Sequence, residues 1–188
     1  KAIRRQRQMC IRDSVYAAPS AASGPAALLA TVLFAWQIYW DFSGYSDIAV
    51  GAAALVGVRL SRNFDHPYRA ASLRDFWHRW HISLTRWFTD YVYIPLGGSR
   101  CRLRRTCLNL LIVFTLTGLW HGAAWQYVVF GLLHGVILCL ERLGLGQLLN
   151  QLPKFFRHLY TVVVLWATLI IFCLLYTSPS PRDRSLSR

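Results

Sequence analysis

The chain has 188 residues, 55% hydrophobic and 14% aromatic, yet 21 Lys and Arg stand against 8 Asp and Glu, a formal net charge of +13. A disordered basic tail does not hold so many apolar residues, and a soluble nucleic-acid binder spends more than 15% of its residues on charge. The composition suits a membrane protein whose cations sit in loops and at helix ends.

The first 14 residues, KAIRRQRQMCIRDS, and the last 12, TSPSPRDRSLSR, together hold +6 of the +13. Both are Arg-rich, weakly hydrophobic and joined abruptly to apolar sequence, so 1–14 reads as a non-native leader and 177–188 as a non-native tail. Genuine disordered termini are the alternative. Residues 15–176 then form one partial transmembrane domain, and the whole reads as an internal piece of a longer protein.

Residues 26–58 are apolar but interrupted by Asp41 and Asp47, each costing about 2.5–3.5 kcal/mol at a bilayer centre. Ser43, Tyr45 and Ser46 lie between them. Residues 61–72 are rich in turn formers and include Pro67, which predicts irregular chain. Ser72 then caps a helix with Asp75 at the N3 position. Trp77, His81, Leu84, Phe88 and Tyr91 recur along one face of a single amphipathic helix over 72–93. Its other face carries Arg74, His78, Arg79, Arg86 and Asp90, with Asp75–Arg79 and Arg86–Asp90 spaced for i,i+4 pairing. Pro95-Leu96-Gly97-Gly98 ends it.

Residues 106–140 carry no Asp, Glu, Lys or Arg and are too long for one perpendicular span at about 1.5 Å per residue. A break near Gly118 to Gly122 divides them into a hairpin. Arg100, Arg102, Arg104 and Arg105 precede this run, and Arg142, Lys154 and Arg157 follow it. The positive-inside rule puts both clusters on the cytoplasmic side, which two crossings satisfy and one does not. Residues 158–176 also lack Asp, Glu, Lys and Arg, and their eleven Leu, Ile, Val and Phe favour insertion by about 3–7 kcal/mol. Five cysteines without paired spacing support neither a disulfide framework nor a zinc ribbon and read as passive thiols.

Six histidines are present, and His121 and His81 have the most suggestive settings. His121 sits at the proposed break in a neutral membrane run, where a polar ring needs a partner, water or a substrate. His81 sits on the apolar stripe of the 72–93 helix. Either ring could be a satisfied structural histidine; together with Asp41, Asp47, Ser43, Ser46 and Tyr45 they point to a functional interior. An imidazole with an ordinary pKa of about 6.5 is suited to deprotonating a hydroxyl. A proton relay through Asp41, Asp47, His81 and His121, a metal held by His78, His81 and His121, and a noncatalytic scaffold recruiting partners through the Arg100–Arg105 loop are the competing readings. Four arginines without interleaved aromatics argue against nucleic acid as a partner.

Three long strings, WQIYWDFSGYSDIAVGAAALVGVRLSRNFDHPY (36–68), FWHRWHISLTRWFTDYVYIPLGGSR (76–100) and LTGLWHGAAWQYVVFGLLHG (116–135), closely resemble the membrane-bound O-acyltransferase family. Within its bacterial branch, DFSGYSD, RWHISL, YIPLGG and GLWHG are most similar to the alginate O-acetyltransferase type. The resemblance implies an all-α, polytopic membrane bundle, with about four to six helices in this stretch including a broken or re-entrant pair. It implies an inner-membrane, multi-pass enzyme that passes an acyl group, acetyl by the closest type, from a cytoplasmic-side donor to hydroxyls of an exported cell-surface polysaccharide such as alginate. The donor is a co-substrate, acetyl-coenzyme A or an acyl carrier, with no bound cofactor and no metal. Partners implied are the lipid bilayer, the polysaccharide and acetyltransferase subunits of the same pathway. By the same resemblance His121 is the catalytic histidine and His81 the second functional one. Trp120, Trp125 and Trp80 would line the substrate tunnel. Asp41, Tyr45 and Asp47 form a structural polar motif, its carboxylates paired with Arg79 or Arg86. Family members have further helices before DFSGYSD, so the 188-residue chain alone is expected to be inactive.

Overall fold

A computed structural model describes residues 24–174, so the leader and tail readings lie outside the described residues. The described residues are helical, joined by turns and one irregular loop, and contain no strand. The all-α expectation therefore holds.

Helix α1 (Gly24–Leu55) is continuous for 32 residues. Ala35, Tyr39, Phe42 and Ser46 recur at helical spacing on its inner face, with Ala35 and Ser46 buried. Asp41, Tyr45 and Asp47 fall on the other side and are exposed. Arg79 accordingly does not pair with them: its guanidinium lies 2.8 Å from Asp75 and 3.8 Å from Asp65. Arg86 makes no ion pair among the described residues, with Asp90 or any other acid.

The predicted helix over 72–93 is two helices, α2 (Leu73–Arg79) and α3 (Ile82–Phe88), the latter running into a π-turn at Thr89–Tyr93. Its start is as expected: the Ser72 hydroxyl accepts the Asp75 N–H at 3.0 Å, and Asp75 accepts the Ala71 N–H at 3.1 Å. The break comes at His81, whose φ of 47° lies in the left-handed region. The 61–66 loop fills the gap. Asn63 O accepts the Ile82 N–H and Arg79 O accepts the Asp65 N–H, each at 2.9 Å. Helix periodicity carries no sign of this, because the groups that replace the lost intrahelical bonds come from 14 or more residues away.

Helices α4 (Leu103–His121) and α5 (Trp125–Leu140) form the expected hairpin, broken at Gly122–Ala124. They pack antiparallel, and the Cys139 thiol reaches Cys107 O at 3.4 Å near their far end. The arginines before α4 and Arg142 after α5 therefore share one end of the bundle. Gly118 and Gly131 make the close approach possible: a Cβ at Gly118 would run into the Tyr127 carbonyl, and one at Gly131 into the Phe114 carbonyl. Gly118→Ala or Gly131→Ala is expected to destabilise the fold by about 1–3 kcal/mol. Gly44→Ala on α1, where a Cβ meets nothing within 4 Å, serves as control and should be neutral or stabilising. Thermal midpoints of the three variants in detergent check this.

After α5 a π-turn with a kink at Gly144 leads into α6 (Gly146–Gln151), and α7 (Lys154–Leu174) follows Pro153. Two stretches, Trp125–Gln151 and Lys154–Phe172, are long and apolar enough to cross a membrane. Helix α7 packs on α5, α1 and α2. Ala70, Leu73, Phe76, Leu138 and Leu165 form the core where α2 meets α5 and α7. Glu141 fixes this crossing. Its carboxylate accepts the Leu73 N–H at 2.8 Å, the Arg74 N–H at 3.1 Å and the Tyr160 hydroxyl at 3.2 Å, so one acid from the end of α5 caps α2 and holds α7.

Candidate active site

His121 occupies the last turn of α4, and the chain leaves the helix at Gly122 with φ 152°. A side chain at Gly122 would be strained there and its Cβ would lie 2.8 Å from the Tyr127 ring. The histidine ring is surrounded by aromatics: Trp120 at 5.0 Å, Tyr127 at 6.2 Å, Phe172 at 6.1 Å and Phe130 at 6.5 Å between centroids. No described residue hydrogen-bonds its nitrogens, and the residue is exposed on one side. It lines a chamber of about 100 Å³ with Trp80, Phe130, His134, Thr168 and Phe172 among the walls. A base with a free nitrogen at the mouth of an apolar chamber can take a proton from a hydroxyl brought to it.

His81 approaches from the α2–α3 break. Its ring stands edge-on to Phe42 at 4.7 Å and to Trp120 at 6.0 Å, so Trp120 lies against both histidines. Its Nδ1 is 3.3 Å from Asn63 Oδ1. That oxygen also accepts the Ser83 N–H at 3.0 Å and the Ser83 hydroxyl at 2.9 Å, while Asn63 Nδ2 donates to Ser46 Oγ at 3.3 Å. The network assigns the amide orientation, and with it an Nδ1–H tautomer that leaves Nε2 of His81 as an acceptor. Nearby, the Asp65 carboxyl is held below its ordinary range, first by its hydrogen bond from the His66 ring and then by Arg62 and Arg79.

The structure thus brings His81 and His121 together around Trp120 and sets Trp80 in the chamber wall. Trp125, by contrast, is 82% exposed and lines neither the His121 chamber nor the cavity on which His78 lies. Asp41, Tyr45 and Asp47 face away; the inward residues of that motif are Phe42 and Ser46. His78 lines a different cavity from His121, and no three His, Cys, Asp or Glu side chains converge for a metal among the described residues. Sequence reasoning missed Asn63 and His134. The former looks like a turn former, and the latter is a buried ring bonded to Phe130 O at 2.9 Å and lying 3.4 Å from the Thr168 hydroxyl.

Residues 14–178 match the membrane-bound O-acyltransferase family along almost the whole chain. The chain belongs to that family. It is 44% identical over 116 residues to the peptidoglycan O-acetyltransferase of Helicobacter pylori, covering 62% of this chain and 22% of that protein. It is 42% identical over 149 residues to the probable alginate O-acetylase of Azotobacter vinelandii, covering 79% and 29%. With the teichoic acid D-alanyltransferase of Bacillus subtilis it shares 34% over 112 residues, 56% of this chain and 28% of that one. The chain therefore spans less than a third of the length of these relatives. As a member of this family it is a membrane protein, and its likeness to the alginate O-acetylase extends through both histidine-bearing segments.

Proposed function

We propose that the protein carrying this chain is a membrane O-acyltransferase that moves an acetyl group onto hydroxyls of an exported cell-surface polysaccharide, alginate being the acceptor that the relatives' names favour. The observation that carries the reading is the unpaired His121 ring at a helix break in an aromatic chamber, with His81 facing it across Trp120. His121 takes the proton as the acceptor oxygen attacks the acyl carbonyl carbon. The acyl–sulfur bond of the donor breaks, and the thiolate leaves with the proton returned from the imidazolium. His81, through its Nε2, orients the acceptor hydroxyl. Glycosyl hydroxyls and a thioester supply all the atoms, and no bound cofactor or metal is needed.

Donor entry is assigned to the end bearing Arg100–Arg105 and Arg142, read as cytoplasmic in the inner membrane. Partner subunits of the same pathway would present the acceptor. The test is acyl transfer to polysaccharide by full-length protein, read as new esters on the polymer. A scaffold would support esterification equally with His121→Ala; an enzyme would not. The 188-residue chain alone leaves His121 and Trp125 open to solvent, so it is expected to show no His121-dependent transfer when purified and given donor and polymer.

A further inference from the structure

Helices α4 and α5 each carry one cysteine, Cys107 and Cys139, and the register of the hairpin sets the two face to face. In an antiparallel helix pair, one turn back along one helix matches one turn forward along its neighbour, about four residues each way. Gly135 stands against Leu111: a Cβ on the glycine would lie 3.3 Å from Leu111 Cα and 3.4 Å from Phe114 Cβ. One turn on toward the arginine end, Gly135 leads to Cys139 and Leu111 leads back to Cys107. The backbones run closely enough for the Cys139 thiol to donate to Cys107 O at 3.4 Å, and the Cys107 thiol is a hydrogen-bond neighbour of the same group. A disulfide needs Cβ atoms about 3.5–4.5 Å apart, and thiols that already touch across two facing helix positions reach it by rotation about their Cα–Cβ bonds.

Accessibility divides the pair. Both are free thiols, Cys107 half-buried beside the 45% exposed Leu108, Cys139 buried. A small oxidant arriving at the arginine end therefore meets Cys107 first, with Cys139 behind it to resolve the product. Cys101, the other free thiol among the described residues, is turned into the 97–98 turn, where it donates to Gly97 O at 3.2 Å and Gly98 O at 3.4 Å.

We propose that Cys107 and Cys139 are an oxidative modification site, which hydrogen peroxide converts to a disulfide that staples α4 to α5 at the arginine end of the hairpin. The Cys107 sulfur, as thiolate, attacks one peroxide oxygen; the O–O bond breaks, hydroxide leaves and a sulfenic acid forms. The Cys139 sulfur, as thiolate, then attacks the Cys107 sulfur; the S–O bond breaks and a second hydroxide leaves. The two thiol protons end on the two hydroxides, so two thiols and one peroxide give one disulfide and two waters, with two electrons passing from sulfur to peroxide. The arginine end is read as cytoplasmic, where thiols rest reduced, so the bond is a reversible response to oxidant. It does not depend on the acyltransfer reading.

The experiment treats full-length protein in detergent with hydrogen peroxide, then maps its cysteines by digestion and mass spectrometry. The peptides holding Cys107 and Cys139 should be joined, two hydrogens lighter than their sum, and should separate again with dithiothreitol. Cys139→Ser should instead leave Cys107 as a sulfenic acid that dimedone traps, and Cys107→Ser should leave Cys139 unlabelled by dimedone. The joined form should unfold about 2–8 °C above the reduced protein, and peroxide should give Cys107→Ser no such rise. The proposal is overturned if peroxide leaves both thiols free, if either joins Cys101 or another cysteine instead, or if the joined form gains no thermal stability. Dimedone on Cys139 but not on Cys107 in the single variants would overturn the order of attack. The joined peptides of the parent decide the chemistry even when neither serine variant folds.

Discussion

Full-length protein carrying His121→Ala is expected to lose a factor on the order of 10²–10⁴ in kcat for ester formation, the usual contribution of a positioned general base. His121→Gln should fall as far, since an amide can hydrogen-bond the acceptor hydroxyl but cannot take its proton. Neither change should cost much stability. The His121 ring makes no hydrogen bond with any described residue and is open on one side, so truncation removes contacts with Trp120, Tyr127 and Phe172 without stranding a buried polar partner among them. Abundance and thermal midpoint in detergent should therefore match the parent. His81→Ala should lose less, about 10- to 100-fold, because orientation rather than proton removal is taken away. More than a tenth of the parental kcat retained in both His121 variants would sink the base assignment.

Sequence periodicity and capping rules located most of the helices because those signals are local. Ser72 and Asp75 cap α2 from within four residues, and the neutral run 106–140 breaks at Gly122, where a Cβ would meet the Tyr127 ring. What stayed hidden is nonlocal. The stripe Trp77, His81, Leu84, Phe88 fits one helix perfectly well on its own; it is the 61–66 loop, bonding Arg79 O and the Ile82 N–H, that stabilises a left-handed His81 in its place. Glu141 reads as a charge at the end of a membrane run, and only the fold shows it capping a helix 67 residues away. In DFSGYSD the carboxylates drew attention, since an acid in an apolar run is costly. The helical register set by Ala35 and Tyr39 nevertheless turns Phe42 and Ser46 inward and sends Asp41, Tyr45 and Asp47 out. His81 and His121 stood out as polar rings in apolar sequence, and both lie against Trp120; His134 stands in the same kind of sequence and is buried on Phe130 O instead. Asn63 did not stand out, because an asparagine beside Arg62 and Pro67 is what any turn would carry.

That residue carries the other large expected effect. Asn63→Ala removes, from one position, the acceptor for the Ser83 N–H and hydroxyl, the partner of His81 Nδ1 and the donor to Ser46. The Ser83 N–H lies in the first turn of α3, where no intrahelical acceptor exists, and His81 offers no side-chain cap of its own. Loss of a capping oxygen costs about 0.5–2 kcal/mol, and an unpaired Ser46 hydroxyl adds to that, so a destabilisation of about 1–3 kcal/mol is expected. His81 would then be free to turn about its side-chain bonds, and a displacement of about 1 Å at a reacting group costs up to roughly 10²-fold in rate. Asn63→Asp keeps the acceptor at a helix N-terminus, where negative charge is favourable, and the Ser46 hydroxyl can donate to it in turn. It should recover the stability and bring kcat within about tenfold of the parent. The role is separated from mere folding by a double-mutant cycle. If Asn63 acts through His81, Asn63→Ala in a His81→Ala background should lower kcat little further, whereas independent effects would multiply. Multiplying losses, or an Asp variant as poor as Ala, would remove Asn63 from the site and leave it only as the cap of α3.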